Sequence, residues 1–140
     1  MKKKISILGS TGSIGENTLN VIKKNRNNFK VVLLSTNRKF NKVMKQANEF
    51  NVKNVIITDL HSYKKAKLKF KKSNIKIFKD FKNLNKIFKK KNDVIMSCIT
   101  GLMGLEPTLI SIKHTKKILI ANKEAIICGW NLIIKSLKKK

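Results

Sequence analysis

Apolar and polar positions along this chain fall into two alternating patterns. Short runs rich in β-branched residues occur at 5–8 (ISIL), 30–36 (KVVLLST), 54–58 (NVIIT), 75–78 (IKIF), 93–99 (DVIMSCI) and 117–121 (KILIA), and predict strands. The lysine-rich stretches between and after them, at 13–25, 41–50, 62–72, 81–91, 104–114 and 123–137, predict helices. In the first of these Ile14, Leu19, Val21 and Ile22 fall near one face, and in the fourth Phe81, Leu84, Ile87 and Phe88 do so. The run at 93–99 is almost continuously apolar, as expected for a strand buried on both faces. Pro107 lies near the first turn of a helix, where a missing N–H is tolerated. Strand–helix alternation without a proline- or glycine-rich linker predicts one α/β domain over 1–140, a mostly parallel sheet with helices on both faces.

The first strand-to-helix connection carries the densest chemistry. It reads GSTGSIG, with Gly9, Gly12 and Gly15 behind Leu8 and a helix starting near Ser13 or Ile14. In such a turn the first glycine permits a tight bend, the second lets a phosphate approach the backbone, and the third lets helix and strand pack closely. N–H groups at the helix start then face the diphosphate of a dinucleotide. Ser10, Thr11 and Ser13 add hydroxyl donors. This placement predicts a Rossmann-type, doubly wound domain. The spacing is G-x-x-G-x-x-G, and a glycine-rich turn without a ligand is the alternative. No G-K-[ST] follows, which argues against a nucleoside-triphosphate loop. NAD-binding domains place an acid at the end of the second strand to hold the ribose 2′-hydroxyl. Here that position reads Asn37, Arg38, Lys39, and the cations suit the 2′-phosphate of NADP. Arg38 is one of only two arginines, with Arg26.

Composition changes this picture little. The net charge of +26 is carried almost entirely by lysine. Base-reading proteins favour arginine, and abundant lysine, asparagine and isoleucine are what AT-rich codons produce. The basic residues are spread along the chain and no cluster of aromatics offers a stacking platform, so no specific nucleic-acid partner is expected. Charge alone predicts salt-sensitive, non-specific binding to polyanions. No apolar stretch is long enough to cross a membrane. The apolar run after the basic start is too short for a signal peptide. Cys98 and Cys128 lack metal or redox spacing and read as buried thiols in a reducing, cytoplasmic compartment. His61 and His114 are isolated and read as surface or helix-end residues. Asp59 and Asp93 read as loop acids and form no metal set. Trp130 reads as core, or as surface that another domain would cover.

Three segments carry a family resemblance. ILGSTGSIGENTLNVI, CITGLMGLEPTLISI and KKILIANKEAIICG are similar, in the same order and at similar spacing, to the amino-terminal domain of the 1-deoxy-D-xylulose 5-phosphate reductoisomerase family. The resemblance implies an oxidoreductase of non-mevalonate isoprenoid biosynthesis. That family converts 1-deoxy-D-xylulose 5-phosphate to 2-C-methyl-D-erythritol 4-phosphate with NADPH and a divalent cation, Mg²⁺ or Mn²⁺, and is expected to be homodimeric. It implies that Thr11, Gly12, Ser13 and Ile14, flanked by Gly9, Ser10 and Gly15, line the NADPH diphosphate. Asn37, Arg38 and Lys39 would hold the 2′-phosphate, and Asn122, Lys123 and Glu124 would lie near the nicotinamide end. Many members have Gly-Lys-Asn where this chain has Asn37, Arg38, Lys39. The family's metal-binding Asp-Ser-Glu segment is expected beyond Lys140, so no catalytic or metal-binding residue is expected here. The 140-residue chain alone is expected to bind NADPH without turnover of the sugar phosphate. The rival readings are a truncated relic, another NADP-dependent dehydrogenase domain and a charge-driven nucleic-acid binder.

Overall fold

A computed structural model describes residues 1–139. Strands β1 (Lys3–Leu8), β2 (Phe29–Thr36), β3 (Asn54–Ile57), β4 (Lys76–Phe78), β5 (Asn92–Ser97) and β6 (Thr115–Ile120) alternate with helices α1 (Ser13–Lys24), α2 (Phe40–Glu49), α3 (Leu60–Lys69), α4 (Leu84–Ile87), α5 (Leu105–Ile112) and α6 (Lys123–Lys138). The strands form one sheet in the order β4-β3-β2-β1-β5-β6, and every neighbouring pair is parallel. Strand order therefore reverses between β1 and β5. Such a switch point opens a crevice at the carboxyl ends of the strands. The predicted Rossmann-type, doubly wound α/β fold is the one observed.

Two apolar layers flank the sheet. On one side Leu19 and Ile22 of α1, Val43, Met44 and Ala47 of α2 and Ala66 of α3 pack on Ile5, Ile7, Val31, Leu34, Val55 and Ile57. On the other, Phe81, Leu84 and Phe88 pack on Leu8, Leu33, Ile56 and Ile95, with Ile110 of α5 beside them. Central strands thus bury side chains on both faces, which explains their unbroken apolar runs.

Several expectations are corrected. The helix predicted over 81–91 is the single turn of α4. The carboxylate of Asp80 accepts the backbone N–H of Lys82 at 3.0 Å in a local turn ahead of α4, and the backbone turns extended at Phe88, φ −107° and ψ 101°, which ends the helix after one turn. Phe81, Leu84 and Phe88 reach the core without further turns. Ile14 and Val21 are exposed, and only Leu19, Ile22 and Gly15 of α1 are buried. Cys98 is buried, which pushes its thiol up to about 11, whereas Cys128 is exposed on the outer side of α6. Trp130, read as core or as surface, is exposed.

Candidate functional site

The glycine loop sits at the end of β1, beside the switch point. Its three glycines have three different physical reasons. Gly9 has φ +83°, and a Cβ there would lie 3.0 Å from the backbone of Cys98 and Ile99. At Gly15 a Cβ would lie 2.4 Å from the carbonyl oxygen of Gly9 and 2.6 Å from Cα of Ser10, so α1 can approach β1 only without one. At Gly12 a Cβ would meet only the Gly9 carbonyl, at an ordinary 3.6 Å. The fold therefore does not require glycine at position 12, and the outward side of the loop is where its absent side chain leaves room.

The loop is laced to the neighbouring strand and helix. Gly9 N–H donates to Ser35 Oγ at 2.9 Å and Ser10 N–H to the Ser35 carbonyl at 2.9 Å. Ser10 Oγ donates to Gln46 Oε1 at 2.8 Å, and Gln46 Nε2 returns a bond to the Ser10 carbonyl at 3.0 Å. Thr11 and Thr36 share a hydroxyl–hydroxyl bond of 2.7 Å. Two of the three hydroxyls expected to face a ligand, those of Ser10 and Thr11, are thus turned into the protein and brace the loop; Ser13 alone is exposed. Gly12 is the N-cap of α1 and supplies no side-chain cap. The first-turn N–H groups of α1 at Ser13, Ile14 and Gly15 are those a helix leaves without intrahelical acceptors, suited to an anion.

The second segment, Asn37, Arg38 and Lys39, is exposed between β2 and α2. Asn37 Nδ2 donates to Thr58 Oγ1 at 2.9 Å, and the Asn37 carbonyl accepts from Asp59 N–H at 3.2 Å. Arg38 Nε lies 3.6 Å from Asp59 Oδ1, with the side chain 80% exposed. Asp59 caps α3 by accepting from Ser62 N–H at 2.9 Å, and that bond, with Arg38 nearby, holds its carboxyl below the usual range.

Asn122, Lys123 and Glu124 form the start of α6, at the end of β6. Lys123 and Glu124 are exposed, whereas Asn122 is 5% exposed. Its Oδ1 accepts from Glu124 N–H at 2.9 Å and Ala125 N–H at 3.2 Å; its Nδ2 donates to the carbonyls of Ile99, at 2.6 Å, and Gly101. All three segments thus lie at the carboxyl edge of the sheet. The first two are joined through Ser35 and Thr36, and the first and third through the 98–101 stretch that touches Gly9 and accepts from Asn122. Sequence reasoning missed Ser35, Thr36 and Gln46. It also missed Gly104, where a Cβ would lie 2.6 Å from the Ile99 carbonyl and 2.7 Å from Asn122 Nδ2. Among the described residues no group of three or more His, Cys, Asp or Glu comes together to hold a metal ion. His114 packs near Phe88, ring centroids 6.0 Å apart, and burial lowers its pKa.

The family model for 1-deoxy-D-xylulose 5-phosphate reductoisomerase matches residues 5–129. The chain belongs to that family. The reductoisomerase of Pelagibacter ubique (strain HTCC1062) is 53% identical over 139 residues, covering 98% of this chain and 36% of the relative. The solved reductoisomerase of Zymomonas mobilis in complex with NADPH superposes with a TM-score of 0.88 at 29% identity, over 99% of this chain and 37% of that one. A reductoisomerase in complex with NADPH, fosmidomycin and magnesium gives 0.87 at 29% identity, over 98% of this chain and 34% of that one. This chain therefore spans about a third of the length of the family members it matches. No helix among the described residues is long and apolar enough to cross a membrane.

Proposed function

We propose that residues 1–140 are the NADPH-binding domain of a 1-deoxy-D-xylulose 5-phosphate reductoisomerase. The observation that carries this reading is the braced glycine loop at the switch point, whose first-turn N–H groups have no side-chain cap. Gly9 and Gly15 shape the loop, Ser10 anchors it, and the backbone of Thr11, Gly12, Ser13 and Ile14 binds the diphosphate. The guanidinium of Arg38, with Asn37 and Lys39 beside it, binds the 2′-phosphate; its exposure leaves the fork open to solvent. Lys123 and Glu124, held by Asn122, face the nicotinamide half. When bound, NADPH supplies the hydride that the reductoisomerase reaction consumes. The described residues do not fit a divalent cation, so we assign no metal-dependent step to them.

We extend the family's isoprenoid pathway, sugar-phosphate substrate, homodimer and cytoplasmic location to the whole protein. The free state of both cysteines supports a reducing compartment. A specific nucleic-acid partner is disfavoured because Trp130 is the one exposed Phe, Tyr or Trp side chain among the described residues.

Titration with NADPH and NADH at low and high salt tests the reading. NADPH is expected to bind more tightly at both salts. Arg38→Gln is expected to reduce that preference about tenfold or more, the scale of one hydrogen bond to a charged group. Equal binding of both nucleotides, abolished by salt, would mean that charge alone explains the affinity.

A further inference from the structure

Asn122 spends its entire hydrogen-bonding capacity inside the protein. A primary amide has two donor hydrogens and an oxygen that accepts twice, and here each is used: Oδ1 on the N–H groups of Glu124 and Ala125, Nδ2 on the carbonyls of Ile99 and Gly101. The two acceptor carbonyls belong to the loop after β5, 23 and 21 residues earlier in the chain. That loop has a special shape. Gly101 has φ +70°, and Gly104 approaches so closely that a Cβ would sit 2.7 Å from Asn122 Nδ2. Its other flank bears on the glycine loop, since Gly9 packs against Cys98 and Ile99. One buried side chain thus ties the first turn of α6 to the loop that abuts the diphosphate cradle.

The sheet order gives this tie a direction. A dinucleotide lies across the switch point, one nucleotide on each side. The Arg38 segment follows β2, on one side of β1; α6 follows β6, on the other. If Arg38 takes the 2′-phosphate, the β5–β6 side takes the nicotinamide half.

We propose that Asn122 is a positioning residue: by clamping the start of α6 to the 99–101 loop, it sets where Lys123 and Glu124 stand relative to the glycine loop, and so tunes affinity for the nicotinamide half alone. This rests on the NADPH reading above. The clamp is separable from helix capping, because serine caps about as well as asparagine but has no amide donor for the Ile99 and Gly101 carbonyls.

The test compares NADPH with 2′,5′-ADP, which carries the 2′-phosphate but no nicotinamide. In Asn122→Ser, NADPH affinity is expected to fall about tenfold, equivalent to about 1.4 kcal/mol, while 2′,5′-ADP affinity stays within about twofold. Should the serine variant not fold, Asn122→Asp keeps volume and cap, removes the donors, and is held to the same comparison. Unchanged NADPH affinity, or a parallel loss for both ligands, overturns the proposal, the latter by showing a merely structural role. A wild-type chain that binds NADPH no more tightly than 2′,5′-ADP overturns it while leaving the phosphate-site reading standing. Failure to bind either ligand overturns both.

Discussion

At the scale of single residues, two of the loop's three glycines make opposite predictions. Gly15→Ala forces a methyl to within 2.4 Å of the Gly9 carbonyl. It is expected to destabilise the fold by about 1–3 kcal/mol, visible as a lowered thermal midpoint. Gly12→Ala meets nothing closer than 3.6 Å, at an N-cap with φ −83°. It is expected to lower the midpoint less than Gly15→Ala, by the cost of alanine at an N-cap alone, while weakening NADPH about tenfold or more, by intruding where a phosphate approaches the backbone. A Gly12→Ala chain that binds NADPH normally would remove the functional reason for that glycine. The glycine pattern was legible in the sequence, and so were a bend at Gly9 and close helix–strand packing at Gly15; what spacing did not give is the approach of the Gly9 carbonyl to Gly15 and its distance from Gly12. Ser10 and Thr11 show the complementary limit. A hydroxyl in a glycine loop looks like a phosphate donor, yet both find partners in Gln46 and Thr36, which lie far along the chain.

At the scale of elements, α2 does more than cover the sheet. Gln46 is buried and bonds Ser10 twice, so the helix that follows the Arg38 segment also fixes the glycine loop. Gln46→Leu keeps the apolar packing and strands the Ser10 carbonyl, while the Ser10 hydroxyl keeps its 3.3 Å bond to the Ser35 carbonyl. It is expected to cost about 1–3 kcal/mol, the penalty for buried polar groups left unpaired, and denaturant unfolding measures it directly. No sequence signal marked this residue, because a glutamine within an amphipathic lysine-rich helix reads as part of the solvated face. Strand positions were legible for the opposite reason. Runs such as VVLL and VIM are apolar on consecutive residues because their strands are covered on both sides. The failure at α4 has a physical cause as well. Phe81, Leu84 and Phe88 have helical spacing, but burying them takes only one turn, and the backbone turns extended at Phe88, φ −107° and ψ 101°, on its way into β5. Asn122 lies between these cases. An asparagine ahead of an apolar helix is a legible cap, whereas the carbonyls that it clamps could be found only in three dimensions.

At the scale of the whole molecule, acid is expected to destabilise the fold in two stages. Burial, with Lys113 adding, lowers the His114 pKa below its ordinary 6.5. The folded state therefore prefers the neutral ring, and this contribution is complete above pH 6.5 and is lost as pH falls through the lower folded value. The carboxyls of Glu49, bonded by Lys23, Asp59, bonded by the Ser62 N–H, and Asp93, bonded by Lys116, are also held below their ordinary values of 4.5, 3.8 and 3.8. Their contributions are complete above those values and are lost as pH falls through the lower folded ones. Thermal midpoints measured against pH should decline below about pH 6.5 and again below about pH 4, and His114→Gln should flatten the first decline. A first decline unaltered by that variant would assign it elsewhere. The lysine excess also bears on the sheet's ends. Among the described residues β4 and β6 have a strand on one side only, β4 is three residues long, and β6 shows Lys116 and Lys117 on its surface. Unpaired strand edges invite edge-to-edge stacking, and short length and lysine side chains both oppose it. A composition that drift toward AT-rich codons would produce therefore acts as colloidal protection. That protection is electrostatic, so concentrated salt, which shortens the Debye length to about 3 Å at 1 M, leaves the strand edges guarded only by their shape.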